Sequence, residues 1–380
     1  MRLGFSGILV LVMAAAMSGC ADSSNGSGPS GSDTTSPSTS APTGTTDGPG
    51  LSTTCILDSV ETFAKAPAPG FLYGIAVHDG KVYVSTSVGY PGHTPNNDGE
   101  RIFSFDADGT LNATLAIPTT PASNMGLADL AFDNASAGAR LYIVDMNGRV
   151  LRANVSPDLS AAETYASIPA PYGSAQWYVS MPIGMAFAQD GSAYVADDAG
   201  RIWKIAPAGL PTLWFQDPRL VGDLVAHYGA YGVAIGPDGL LYVSVSGSAE
   251  SGGVSDSVVF RLPLSDAPQA GDLVEFYRAP AASPHQGPGL TSIAFGSSGA
   301  MYAALAVTNE VAVVDATGAE VRRIQSDLFA GAHGMAFDGD RLLVANNGIS
   351  PASEDPESWA ILSLCVQDEG WPLVEPTTIP

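Results

Sequence analysis

Few residue types in this 380-residue chain could do chemistry, and most of them fall between apolar runs. The five histidines are His78, His93, His227, His285 and His333. Asp129, Asp145, Asp197, Asn346 and His333 could assemble a divalent-cation site. Carboxylate and amide oxygens suit Ca2+ or Mg2+, and imidazole suits Zn2+. The plainer reading of Asp145 and Asp197 is turn capping, in which each carboxylate bonds the backbone that follows it. Tyr73, Tyr90, Trp177, Tyr178, Tyr228 and Tyr231 could wall a binding pocket. Trp177 and Tyr178 could instead present an aromatic patch to a protein partner. Two other chemistries find no support. Gly247-Ser248 lacks the strand-to-helix elbow of a Gly-x-Ser-x-Gly hydrolase. No glycine-rich phosphate cradle precedes a helix.

These residues are carried by a phrase that recurs six times. Its clearest copy is Tyr231-Gly232-Val233-Ala234-Ile235-Gly236-Pro237-Asp238-Gly239-Leu240-Leu241-Tyr242-Val243. A period-two apolar run, a Pro-Asp-Gly turn and a second run ending in Tyr-Val predict a β-hairpin. The central alanines, Ala76, Ala131, Ala186, Ala234, Ala294 and Ala336, lie 42 to 60 residues apart. A third and a fourth apolar run follow each copy, the third often opened by Arg, as at Arg149 and Arg201. Four antiparallel strands repeated at this period predict an all-β fold, a six-bladed β-propeller. The sixth copy lacks its fourth strand, and an unassigned run at Cys55–Phe63 precedes the first copy. The N-terminal strand is therefore expected to complete the last blade, leaving no open edge. Cys55 would begin that strand and Cys365 would end its neighbour, so a disulfide between them is expected in an oxidising compartment.

Strand order also sorts the loops. Turns within the first hairpin of each blade are tight, as in His78-Asp79-Gly80. Connections between blades, and between second and third strands, are long and share the opposite face. Binding sites are usually built from long loops on a rigid frame. His93, His227, His285 and His333 all fall on that face, with Tyr73, Asp129, Trp177, Tyr178, Tyr231 and Asn346.

Tyr194-Val195-Ala196-Asp197 with Gly200-Arg201-Ile202, and Tyr142-Ile143-Val144-Asp145 with Gly148-Arg149-Val150, resemble NHL repeats. Residues 51–367 as a whole are similar to the six-bladed group holding NHL proteins and the gluconolactonase/regucalcin family. That resemblance implies a divalent metal held by Glu, Asn and Asp at the axial mouth. The corresponding positions are Tyr73, Ala128, Ile183, Tyr231, Thr291 and His333, with Asp129 one step on. Only Asp129 and His333 among these could ligate Ca2+, Mg2+ or Zn2+. Amidating-lyase and streptogramin-lyase propellers carry His-Gly phrases, and only Ala332-His333-Gly334 matches.

The ends of the chain give an address. Residues 1–19 read as a secretory signal, with Arg2 ahead of a short apolar run. Met17-Ser18-Gly19-Cys20 resembles the lipobox of bacterial lipoproteins, with Met17 where Leu is usual, which implies a lipid on Cys20. The alternative is an ordinary signal peptide. Residues 20–50 are almost wholly Ser, Thr, Gly, Pro, Asp and Asn, the composition of a flexible tether. Residues 368–380 read as a C-terminal tail. The net charge of −23 and the lack of any basic cluster argue against nucleic acid. The expected protein is a monomer, exported and lipid-anchored to the bacterial cell envelope, at the outer membrane or the outer face of the cytoplasmic membrane. It would bind a small molecule or a protein on its long-loop face without catalysis. The alternative is a divalent-metal-dependent, lactonase-like hydrolase.

Overall fold

The computed structural model describes residues 55–67, 71–87, 100–118, 126–133, 138–156, 158–169, 181–221, 229–247, 257–281, 288–347 and 359–376. The signal peptide, Cys20, the tether, His93, Trp177, Tyr178, His227 and His285 lie outside the described residues.

The described strands form six four-stranded antiparallel sheets, the blades of a propeller. Blade 1 is β2 (Phe71–His78), β3 (Lys81–Ser87), β4 (Glu100–Phe105) and β5 (Leu111–Ile117). Blades 2 to 5 follow the same order, opening with β6 (Leu127–Asp133), β10 (Pro182–Phe187), β14 (Ala230–Ile235) and β18 (Leu290–Phe295). Blade 6 holds β22 (Ala332–Asp338), β23 (Arg341–Asn346), β24 (Ala360–Cys365) and, as its fourth strand, β1 (Val60–Lys65). The first hairpin shows why the turns are tight. His78 pairs with Lys81, and Asp79 and Gly80 both take positive φ, 48° and 70°. That is the two-residue turn whose twist matches the strands it joins.

Among the described residues the core is divided. Six apolar clusters are described, one at each boundary between neighbouring blades. The second-strand tyrosines fill those boundaries. Tyr83 meets Phe132, Tyr142 meets Phe187, Tyr242 meets Phe295 and Tyr302 meets Phe337, each edge-on at 4.8 to 5.4 Å. Each pair joins one blade to the first strand of the next. Edge-to-face contacts are worth about 0.5–1.5 kcal/mol beyond the area they bury.

The seam differs from expectation in one detail. The closing strand starts at Val60, five residues after Cys55. Asp58 takes a φ of 63° and turns the chain, and its N–H donates to the Cys365 carbonyl at 2.8 Å. Cys55 then reaches back across that turn to form the disulfide with Cys365, with Cα atoms 5.9 Å apart. A second difference is β13 (Pro211–Val221), because the apolar run expected as the fourth strand covers only Thr212 to Phe215 and a long loop is expected from Asp217. The Asp217 carboxylate accepts from the Arg219 backbone N–H and Nε, both at 2.9 Å. This bulge lets Val221 resume pairing with Ala199.

Past Cys365 the chain stays on the ring. Asp368 accepts from the Ser298 N–H at 3.1 Å, and Trp371 N–H donates to the Phe295 carbonyl at 2.8 Å. Val374 packs on the blade 2–3 cluster. Glu375 Oε1 lies 3.2 Å from His78 Nδ1 in blade 1. The tail therefore crosses the tight-turn end of the ring.

Candidate functional site

The opposite end of the axis is built from six β-bulges. In every blade the register between first and second strands breaks at the same place. Leu72 pairs with Thr86 and Ile75 with Val84, leaving Tyr73 and Gly74 opposite Ser85 alone. The same break sets Ala128-Asp129, Ile183-Gly184, Tyr231-Gly232, Thr291-Ser292 and His333-Gly334 out of their ladders. An extra residue bends the strand and re-aims its side chain, and bulges collect at rims and sites for that reason. These bulge residues, Ala128 excepted, line one pocket on the axis, with about 290 Å3 of empty space that includes its open mouth.

The second bulge position is glycine in four blades because the next blade leaves no room. A Cβ on Gly232 would lie 2.6 Å from the Thr291 carbonyl oxygen, and Gly74, Gly184 and Gly334 meet the next blade's carbonyl more closely still. Two serines add a bridge at this level. Ser85 Oγ donates to the Ala128 carbonyl at 2.5 Å and accepts from the Gly74 N–H at 2.8 Å. Ser244 repeats the device, donating to the Thr291 carbonyl at 2.5 Å and accepting from the Gly232 N–H at 2.7 Å.

Asp129 replaces glycine in blade 2. Its Oδ1 accepts from the Leu130 N–H and its Oδ2 from the Met185 N–H of blade 3, both at 2.9 Å. The carboxylate is partly open to the pocket yet surrounded by protein. Burial pushes its pKa up to about 6, against the pull of the two amides. His333 is 5% exposed. Its ring lies 4.2 Å from that of Tyr73 and 6.3 Å from that of Tyr231. Among the described residues no hydrogen-bond partner or ion pair is found for its ring nitrogens. Burial lowers its pKa to about 3, so the imidazole is neutral at any physiological pH.

The structure thus brings Tyr73, Asp129, Tyr231 and His333 into one pocket and engages Asn346, Asp145 and Asp197 elsewhere. Asn346 is buried with both ends used: its Oδ1 accepts from the Ala330 N–H at 3.0 Å and its Nδ2 donates to the Leu328 carbonyl at 2.7 Å. Asp145 accepts from the Asn147 N–H at 2.9 Å and pairs with Arg149. Asp197 accepts from the Ala199 N–H at 2.8 Å and pairs with Arg201 at 2.7 Å. Both cap the turns that follow them. Among the described residues no three His, Cys, Asp or Glu side chains converge as metal ligands. The donor set at the axis, one imidazole and one carboxylate already accepting two amides, does not fit Ca2+, Mg2+ or Zn2+.

Asp198, directly after β11 (Ala193–Asp197), falls among the polar residues that the sequence collects on the long-loop face, with no role assigned to it. It is 2% exposed, and burial together with the Asp197 charge raises its pKa to about 7 despite the Met181 N–H on its Oδ1 at 2.8 Å. The only signal was the Asp-Asp pair at a strand end.

No protein-family model matches the sequence, and no curated protein matches it. Solved structures do share its fold. A calcium-binding protein, regucalcin, from Agrobacterium tumefaciens aligns with a TM-score of 0.58 and 15% identity, over 83% of this chain and 98% of that one. A gluconolactonase from Xanthomonas campestris aligns at 0.53 and 16%, over 80% and 89%. Virginiamycin B lyase from Staphylococcus aureus aligns at 0.52 and 15%, over 81% and 99%. At such identities the likeness establishes the six-bladed architecture that these proteins share with the chain.

Proposed function

We propose that the chain is an exported, lipid-anchored propeller that binds a small molecule in its axial pocket and releases it unchanged. The observation that carries this reading is His333. Its ring lines the pocket beside Tyr73 and Tyr231, and among the described residues its nitrogens have no hydrogen-bond partner, which leaves them for a ligand. Binding suits it better than proton transfer. A pKa of about 3 is far from the range in which an imidazole exchanges protons near neutrality. Anchoring rests on Met17-Ser18-Gly19-Cys20 and the polar spacer that follows.

The hydrolase reading is kept alive by the fold it shares with a gluconolactonase. Metal analysis and gluconolactone turnover by the purified full chain separate the two. The expected outcome is no stoichiometric divalent cation and no hydrolysis. A stoichiometric cation, lost in Asp129→Ala and in His333→Ala along with lactone turnover, would establish the hydrolase instead.

A further inference from the structure

The walls of the axial pocket narrow the chemistry of what it takes. Three π-systems meet there, Tyr73, His333 and Tyr231, with His333 central to the group. His333 carries no charge, so none of the three repels a cation. Among the described residues Asp129 supplies the one carboxylate in the lining, held in place by the Leu130 and Met185 amides. The remainder of the described lining is Ile183, Thr291, Ser292 and glycine backbone, with no Lys or Arg. A hard metal ion needs many oxygen ligands and finds few. An anion meets a carboxylate and π faces, both repulsive. An alkylammonium group needs aromatic faces and a nearby counter-charge. The chain's net charge of −23 further concentrates cations around it. The empty space of about 290 Å3 includes the open mouth, so the enclosed part admits only a compact head group.

We infer that the axial pocket takes a small organic cation, its ammonium head against Tyr73, His333 and Tyr231 and its charge answered by Asp129. This rests on the axial pocket being the binding site. Asp129 is then more than the inter-blade clip its two hydrogen bonds describe. It is the feature that separates a cation from a neutral molecule of the same shape.

Calorimetric titration of the full chain tests the inference with three probes: choline, its neutral carbon isostere 3,3-dimethylbutan-1-ol, and gluconolactone. Choline should bind saturably. The isostere should bind at least about 10-fold more weakly, the scale of a desolvated cation–π contact. Asp129→Asn should weaken choline by a similar factor and leave the isostere unchanged. Because Asn cannot accept from both amides, Tyr231→Leu serves as the second variant and should weaken choline without touching the Asp129 bonds. Equal binding of choline and the isostere, or no binding of choline, overturns the cation inference. If gluconolactone or the isostere binds instead and loses affinity in Tyr231→Leu, the axial-pocket reading stands while the cation inference falls. If choline binds unaffected by Asp129→Asn and Tyr231→Leu, the binding lies elsewhere and both fall.

Discussion

The rings of Tyr73 and His333 lie 4.2 Å apart although they sit on the first and last blades of the ring. The contact spans the seam and puts at the axis a neutral imidazole whose nitrogens have no partner among the described residues. Replacing a buried polar group that lacks partners by an apolar ring of similar shape relieves a desolvation cost of about 1–3 kcal/mol. His333→Phe is therefore expected to stabilise the full chain by about 1 kcal/mol in urea unfolding while keeping an aromatic face in the pocket, whereas His333→Ala removes that face and should weaken ligand binding. Destabilisation by His333→Phe would show that the imidazole is held by a bond the structure lacks.

Ser85 and Ser244 offer a test of how the pocket rim is fixed. Each hydroxyl serves the backbone of two blades at once. Ser85→Ala leaves a buried Gly74 N–H and an Ala128 carbonyl without that partner, and should cost about 1–3 kcal/mol. Ser244→Ala should cost the same. The two sites lie in blades 1 and 4 and share no partners, so the double variant should show the sum to within about 0.5 kcal/mol. A double variant no worse than either single would mean that the rim yields as one unit.

Much of this architecture was legible because the phrase binds several constraints together. Five of the six second strands carry a Tyr large enough to fill the space between blades, and Tyr83, Tyr142, Tyr242 and Tyr302 occupy that place. The missing sixth fourth strand predicted the closure by β1. The bulges were not legible. Tyr231-Gly232-Val233 reads as unbroken alternation, and only pairing against Ser244 shows that two residues oppose one. The fate of Asn346 was equally hidden, because its partners Ala330 and Leu328 bond through backbone atoms that carry no side-chain signature. The tail looked like an appendage for a related reason. Its hold on the ring runs through backbone bonds at Glu369, Gly370 and Trp371, together with two carboxylates whose partners lie 66 to 297 residues away.

Asp198 sets a pH dependence. Its pKa in the fold, about 7, is raised above the value of about 4 expected in the unfolded chain. The folded state therefore holds the proton more tightly. The stability this contributes is complete below about pH 4 and is lost as pH rises through about 7. A shift of this size corresponds to on the order of 3–4 kcal/mol at its upper limit. The groups that act on it are Asp197, Arg201, the Met181 amide and the Ala199 amide. Stability measured by urea unfolding should fall between about pH 4 and pH 7, and Asp198→Asn should remove the larger part of that slope while keeping the Met181 bond, the remainder coming from Asp129. A slope unchanged in Asp198→Asn would place the titration on another group.

The Cys55–Cys365 disulfide should matter more for the seam than for the blades. It joins residues 310 apart, and chain-entropy arguments give about 5 kcal/mol for loops of such length, an upper figure. Backbone pairing of β1 with β24 already holds the same edge, from Val60 opposite Leu364 to Lys65 opposite Ala360. Cys365→Ser should therefore lower stability by about 2–5 kcal/mol yet leave the fold intact at room temperature. The damage should be local. Amides of β1 and of the turn through Asp58 should lose protection from hydrogen exchange well before those of blades 2 to 5. Tyr73 and His333 face each other across this seam, so ligand affinity should fall in the same variant. Uniform loss of protection around the ring would instead show that the propeller opens as one cooperative body, with no preferred point of entry.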